Sequence, residues 1–239
     1  MSKRRLVRGA MRAGQGEKSS FGHWLISIHY IMGQQSSSLR RGIIFIVSAP
    51  SGAGKTTISR AAVQKIGGLT PSISLTTRRP RNGEVEGIDY QFVSEEEFQR
   101  SLKADELAEW AQVFDACYGT PRRPLDDAVR QGSDILLDID IHGARQLRER
   151  YPKDAVTIFV VPPSFEELEG RLRKRGTEDG DAIARRLKRA REEFAAYPEY
   201  DYLIINANLD ESLAALEAII KAERSRVGRL REEFAPWKN

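Results

Sequence analysis

Cysteine is almost absent from this sequence: Cys117 stands alone among 239 residues. One thiol cannot form an internal disulfide, so the fold must rest on its core, and a reducing compartment suits it. No apolar run approaches the ~18 residues that a membrane span needs. Aromatic residues are few, at 8%, but 40% of the chain is apolar, which is enough for a core and excludes wholesale disorder. Net charge is also small, at +4, and it is unevenly placed. Residues 1–41 hold eight Lys and Arg against the single acid Glu17, whereas residues 42–239 hold the other 30 basic residues with 33 acids. The body is therefore slightly acidic. Its composition gives no reason to expect a nucleic-acid or membrane partner.

The leader divides into a basic, Gly-rich stretch at 1–20, a short apolar patch, FGHWLISIHYIM, at 21–32, and a GQQSSS linker. A basic start before an apolar stretch resembles a secretory signal, but His23 and His29 interrupt the patch and no small-x-small cleavage site follows it. A transit peptide is a second reading, since residues 1–16 lack acids. The expected reading is a disordered extension over 1–41, with Met32 as a natural initiator, ahead of a cytoplasmic body at 42–239. Oligomeric state is left open between monomer and homo-oligomer.

The body opens with IIFIVS at 43–48, a charge-free, β-branched run that suits a strand buried on both faces of a parallel sheet. Ala49, Pro50, Ser51, Gly52, Ala53, Gly54, Lys55, Thr56 and Thr57 follow, and then ISRAAVQKI reads as a helix stopped by Gly67 and Gly68. Strand, glycine loop, Lys, Thr and helix form the context of a P-loop. Its backbone N–H groups and the helix N-terminus receive phosphate oxygens; Lys55 reaches the β- and γ-phosphates, and Thr56 can hold Mg2+. Ala49 replaces the usual first glycine, at a position that only begins the turn. ATP binding through 49–57 is the expectation.

A second phosphate site is suggested at 72–93, where Arg78, Arg79 and Arg81 surround Pro80, with Ser74, Thr76 and Thr77 before them and Tyr90 after. The planar fork of arginine grips phosphate in two places. A third feature is ILLDID at 135–140, a buried strand ending in acids, where ligands of doubly wound sheets collect. Asp138 is there a candidate to hold Mg2+ through water, against the plainer reading of a strand-end cap. AVTIFVV at 155–161 and DYLIINA at 201–207 add apolar strands, so about five parallel strands are expected, closed by a helix over roughly 210–234.

Read in order, APSGAGKTT, SLTTRRPRNGEVEGIDYQFVS, ELAEWAQV, CYGTP and ILLDIDIHGARQL resemble guanylate kinase, from about Ile43 to about Leu216. The resemblance implies an ATP:GMP phosphotransferase that moves the γ-phosphoryl of ATP to GMP, and to dGMP, with Mg2+, in purine nucleotide metabolism. It implies an α/β fold, a three-layer P-loop NTPase core with a parallel sheet, a GMP-binding insert at 74–126 and a helical lid at 173–190. It puts Arg78, Arg81 and Tyr90 on the GMP phosphate, with Ser74 and Glu84 near the nucleotide. Glu109, Tyr118, Gly119, Thr120 and Asp140 fall around the base, Asn206 near the adenine, and Arg175 and Arg186, together with Lys55 and Arg78, among the catalytic cations. Guanine offers a ring N–H and an amino group together, and a carboxylate accepts from both; adenine presents a lone pair there instead. The sequence departs from the family at His142, where glutamine is usual, and at Ala207 and Asn208, where acids are usual.

Two other readings compete. A P-loop kinase for a different phosphorylated acceptor, such as a ribose bisphosphate, would keep the loop and the arginines but need not keep Glu109, Thr120 and Asp140 together. A catalytically silent interaction module would be expected to have damaged the loop or the lid, yet Lys55, Thr56, Arg175 and Arg186 are present.

Overall fold

The computed structural model describes residues 40–113, 115–174 and 180–230. The strands, numbered along the chain, are β1 (Ile44–Ser48), β2 (Leu69–Pro71), β3 (Leu75–Thr76), β4 (Gln91–Phe92), β5 (Leu107–Val113), β6 (Ala116–Pro121), β7 (Asp134–Asp138), β8 (Ala155–Val161) and β9 (Tyr202–Ile205). The helices are α1 (Lys55–Lys65), α2 (Glu95–Lys103), α3 (Arg122–Gln131), α4 (Ile141–Arg150), α5 (Phe165–Lys174), α6 (Gly180–Phe194) and α7 (Leu209–Arg224). Five strands form one parallel sheet in the order β2-β7-β1-β8-β9.

Burial on both faces explains why β1 reads as an unbroken apolar run. Phe45 and Val47 face α1 and α7, where Ile58, Leu213, Leu216 and Ile220 meet them. Ile44 and Ile46 face the other layer, with Leu125 and Val129 of α3 and Leu147 of α4. Each fully buried side chain of this size contributes roughly 1.5–3 kcal/mol, so the two faces together fix the strand against slipping.

A second sheet, in the order β4-β3-β6-β5, rises from the first and packs on Phe98 of α2, with Leu75, Leu107 and Cys117 around it. Ser94 opens α2 with a reciprocal cap: its hydroxyl accepts from the Glu97 N–H, and the Glu97 carboxylate accepts from the Ser94 N–H. No helix among the described residues is long and apolar enough to cross a membrane.

One expectation needs correcting. The last helix stops at Arg224 rather than continuing to 234. A short turn, Val227–Arg229, folds the chain back, because the guanidinium of Arg229 is buried against Glu223. Leu230 then pairs with Arg40, so residues counted with the basic leader by composition are part of the fold. Arg40 grips Asp134 with both terminal nitrogens, at 2.7 and 2.8 Å. Asp134 is wholly buried and also accepts from Arg224 at 2.7 Å and from the Ile43 N–H at 3.0 Å. Arg41 holds Asp154 in the same two-pronged way.

Asp134 thus ties the first strand, the last helix and the chain's entry together. Removing a buried ionic partner strands the charges it neutralised, and Asp134→Ala should lower folding stability by ~3–5 kcal/mol. Urea denaturation measures this, and a loss below about 1 kcal/mol would show that water replaces the carboxylate freely.

Candidate active site

Between β1 and α1 the chain makes a tight loop whose Gly52 and Gly54 sit at φ 93° and 96°, the left-handed region that side chains resist. The unbonded N–H groups of the α1 N-terminus open into a cleft of about 360 Å3. The loop residues Ala49, Pro50, Ser51, Gly52, Gly54, Lys55, Thr56 and Thr57 form one wall; Val113, Asp140, Arg186, Arg189 and Glu193 complete it. Parallel register sets Val47 beside Asp138, so the phosphate loop and the acidic end of β7 leave the sheet side by side. The Lys55 ammonium lies 2.5 Å from Asp138 and donates to the Ile139 carbonyl at 3.0 Å. Asn206 supports the loop from below: its amide nitrogen donates to the Ala53 carbonyl at 2.8 Å, and its oxygen accepts from Ser212 at 3.0 Å.

No cluster of three or more His, Cys, Asp or Glu among the described residues could hold a metal by itself. The Thr56 hydroxyl and the Asp138 carboxylate are hard oxygen donors at the phosphate loop. They fit Mg2+, which takes one or two protein oxygens and completes its shell with phosphates and water.

The arginine-rich segment is ordered by its own acids. Arg78 donates to Glu84 at 2.9 Å and to the Tyr118 hydroxyl at 3.1 Å, and its guanidinium lies 5.5 Å from the Tyr90 ring centre and 5.9 Å from that of Phe92. Pairing with Arg78 lowers the Glu84 carboxyl below its ordinary range. The other Glu84 oxygen accepts from the Arg81 N–H at 2.7 Å. Tyr90 is pushed up, first by burial and then by the negative charge of Asp138, which marks how near the insert comes to the end of β7. The backbone of Ser74 accepts from Gln91, joining the same loop.

Glu109 is the unusual residue. The segment AEWAQ suggests an exposed helical acid, but it lies in β5, and Glu109 is only 5% exposed. Its carboxylate accepts from the Thr120 hydroxyl at 2.5 Å, directly across the β5–β6 pair. Burial pushes this carboxyl up to about 7; the Thr120 bond opposes that, the charge of Asp140 adds to it, and Lys55 opposes it from the phosphate side. Asp140 begins α4 rather than ending a strand, with its carboxylate accepting from the Gly143 N–H at 2.9 Å. Gly119 is packed between Leu107 and Phe98.

The fold therefore brings Lys55, Thr56, Asp138, Asp140 and Arg186 to one cleft, with Glu109 and Thr120 close behind and Arg78, Arg81, Glu84, Tyr90 and Tyr118 on the adjoining insert. Arg175 lies outside the described residues. Glu193, on α6, carries a contact that its sequence setting did not disclose: its carboxylate accepts from the Ser51 N–H at 3.2 Å and from Arg189 at 2.8 Å. The Arg189 pair is an ordinary i,i+4 contact along one helix, whereas the reach to the phosphate loop crosses between elements.

The raised Glu109 carboxyl has a consequence for stability. Below its ordinary value of 4.5 both folded and unfolded chains carry the proton, and burial costs nothing in charge. Between there and about 7 the unfolded chain ionises first, so stability falls as pH rises, and the full cost stands above about 7. Glu109→Gln should then be more stable than the parent at pH 8, by roughly 2–3 kcal/mol, and the gap should close by pH 4. Parallel urea melts at the two pH values test this; a gap that does not change with pH would refute it.

Comparison with known proteins agrees with the site. The guanylate kinase family model matches residues 41–223. A guanylate kinase of Nitrobacter winogradskyi is 49% identical over 185 residues, covering 77% of this chain and 84% of that protein. One from Syntrophotalea carbinolica is 50% identical over 194 residues, covering 81% and 92%. The crystal structure of guanylate kinase from Anaplasma phagocytophilum superposes with a TM-score of 0.68 at 37% identity, over 80% of this chain and 90% of that one. With a phosphate loop, an arginine-lined insert and a buried carboxylate between them, the chain belongs to the guanylate kinase family.

Proposed function

We propose that the named residues divide the guanylate kinase reaction as follows, with GMP, and dGMP, as acceptor and ATP as donor. The carrying observation is the juxtaposition of the buried Glu109, bonded to Thr120 and raised by the charge of Asp140, with the phosphate loop and Lys55. The loop N–H groups and Lys55 hold the β- and γ-phosphates of ATP, with Asn206 fixing the loop beneath them. Thr56, and Asp138 through water, would hold Mg2+, which would supply charge neutralisation at the phosphates. Arg78, Arg81 and Tyr90 grip the GMP phosphate, with Ser74 and Glu84 at the rim. Arg78 is already fixed by Glu84 and Tyr118, so little ordering remains when phosphate arrives. Glu109 and Asp140 accept from the guanine ring N–H and amino group, Thr120 lies beside its carbonyl, and Tyr118 and Gly119 line the pocket.

An oxygen of the GMP phosphate attacks the γ-phosphorus, the bond to the β-phosphate oxygen breaks, and ADP leaves. Such transfer depends on alignment and charge neutralisation more than on proton removal. Arg186, in the cleft wall, and Arg175, in the 173–190 lid, supply cations to the moving group. The functional body carries the insert at 74–126 and begins two residues earlier than the expected 42, because Arg40 and Arg41 pair with Asp134 and Asp154. The lone, buried Cys117 suits a cytoplasmic setting.

A coupled assay with ATP, Mg2+ and each of GMP, AMP, CMP and UMP tests the assignment. GMP should be preferred over AMP by about 10⁴ in kcat/KM, and equal rates would overturn the base-reading pocket. Because the guanine edge donates twice, the ionised form of Glu109 binds it, so KM for GMP should fall as pH rises through about 7. In Glu109→Gln that inflection should vanish. Arg186→Ala should lower kcat by ~10³-fold while KM for GMP stays within a few-fold. An unchanged kcat removes Arg186 from the mechanism.

A further inference from the structure

One face of α4 is fitted to the open edge of β5. The strand lies at the end of its sheet, paired only with β6, so the outward N–H and C=O groups of alternate residues need partners. Gln146 takes both from Trp110: its amide nitrogen donates to the Trp110 carbonyl at 2.8 Å, and its amide oxygen accepts from the Trp110 N–H at 3.1 Å. A side-chain amide here does the work of a neighbouring strand. One turn further on, Arg150 donates to the Leu107 carbonyl at 3.0 Å. One turn earlier lies Gly143, facing the carboxylate of Glu109. A β-carbon placed on Gly143 would lie 2.5 Å from Oε2 of Glu109 and 3.1 Å from its carboxyl carbon. Positions 143, 146 and 150 recur at helical spacing, so they form one seam.

The seam meets β5 where its pairing with β6 is irregular. The register shifts between Leu107 and Glu109, an extra-residue kink of the kind that re-aims side chains beside active sites. Such a kink leaves the direction of Glu109 underdetermined by the sheet alone. The helix supplies the missing constraint, and it is the helix that Asp140 caps. Gly143 thus has two attachments: its N–H is bonded to Asp140, and its bare α-carbon gives Glu109 room.

We propose that Gly143 and Gln146 are positioning residues for base selection: Gln146 sets the height of β5 against α4, and Gly143 sets how closely Glu109 approaches Asp140, so that both acids can address one purine edge. The proposal rests on the reading of Glu109 and Asp140 as the guanine-binding pair. Neither residue touches substrate in this account; each acts through Glu109. Gly143 has an ordinary helical backbone, since it is not among the positive-φ glycines. Alanine would therefore suit the helix better than glycine does, and any loss it causes must come from the displaced carboxylate. That carboxylate cannot swing aside freely, because it is buried and bonded to Thr120.

Steady-state kinetics on the full chain test this, with Gly143→Ala, Gln146→Met, Glu109→Asp, Glu109→Gln and the double variant Gly143→Ala/Glu109→Asp. Gly143→Ala should raise KM for GMP by about tenfold or more, and Gln146→Met by about three- to tenfold, the range expected for losing one or two modest hydrogen bonds. KM for ATP and kcat at saturating GMP should stay within about twofold, and the preference for GMP over AMP should narrow in proportion. Aspartate is one methylene shorter, so the double variant should bind GMP better than the product of the two single losses, a rescue that a general loosening of the fold would not give. If Gly143→Ala does not fold, Gln146→Met decides by the same split between the two KM values. Unchanged GMP preference in Gly143→Ala and Gln146→Met, beside a loss in Glu109→Gln, overturns the positioning role alone. No loss in Glu109→Gln overturns the reading of the pocket and the proposal with it.

Discussion

Val47 lies beside Asp138 because β1 and β7 run parallel and in register, and most of the site follows from that adjacency. The loop after β1 and the acidic turn after β7 must then emerge together at the carboxyl ends of the strands, where the Lys55 ammonium can reach both Asp138 and the Ile139 carbonyl. A slip of one residue would turn Phe45 and Val47 from the α1–α7 layer to the α3–α4 layer and exchange two packed cores. The register is therefore protected by hydrophobic burial on both sides of the sheet. Core packing thus sets where the loop and the acidic turn meet, and polar contacts such as that of Asn206 with the Ala53 carbonyl hold the loop there.

The second sheet obeys different physics. It is short-stranded, packed on the small cluster around Phe98, and placed where its polar contents matter more than its core. Glu109 shows the consequence. A carboxylate almost free of water is a poor contributor to stability, and nothing in the packing around it requires an acid. Its Thr120 partner, the nearby charge of Asp140 and the opposing charge of Lys55 suit the proposed role of receiving a ligand edge that donates two hydrogens. On the proposed reading, the same dryness that raises its proton affinity would make the carboxylate selective, because a mismatched base would leave it with no water to fall back on.

Much of this was legible in the sequence, for reasons that differ by region. The run 43–48 and the loop 49–57 announce themselves, since charge-free β-branched residues and left-handed glycines each have few other uses. The parallel strands at 43–48, 135–140, 155–161 and 201–207 were equally open to reading, whereas the short edge strand Leu69–Pro71 was not. Glu109 was not legible from local pattern: Leu107, Ala108 and Glu109 are buried in succession, so β5 opens without the alternation of a half-buried strand, and only the resemblance singled the acid out. The end of α7 was misjudged because the turn at Val227–Arg229 depends on Arg229 finding Glu223, a contact that periodicity does not register. Gln146, Gly143 and Glu193 escaped for one reason. Each acts across a helix–strand or helix–loop interface, and sequence spacing records only what happens along a single element.

The arrangement of charge shows how a near-neutral body can receive two highly anionic nucleotides. Carboxylates already meet the groups assigned to phosphate: Asp138 at Lys55, Glu84 at Arg78, Glu193 at the Ser51 N–H. Each of these acids places an oxygen at a donor that a phosphate would also want, so the donors are oriented before any substrate arrives. The body as a whole carries no excess of positive charge, its acids slightly outnumbering its bases. Phosphate carries more charge and more acceptor oxygens than the carboxylate it would displace, which favours exchange without requiring bare, mutually repelling cations. Preorganisation and charge balance are thus met by the same acid–base pairs.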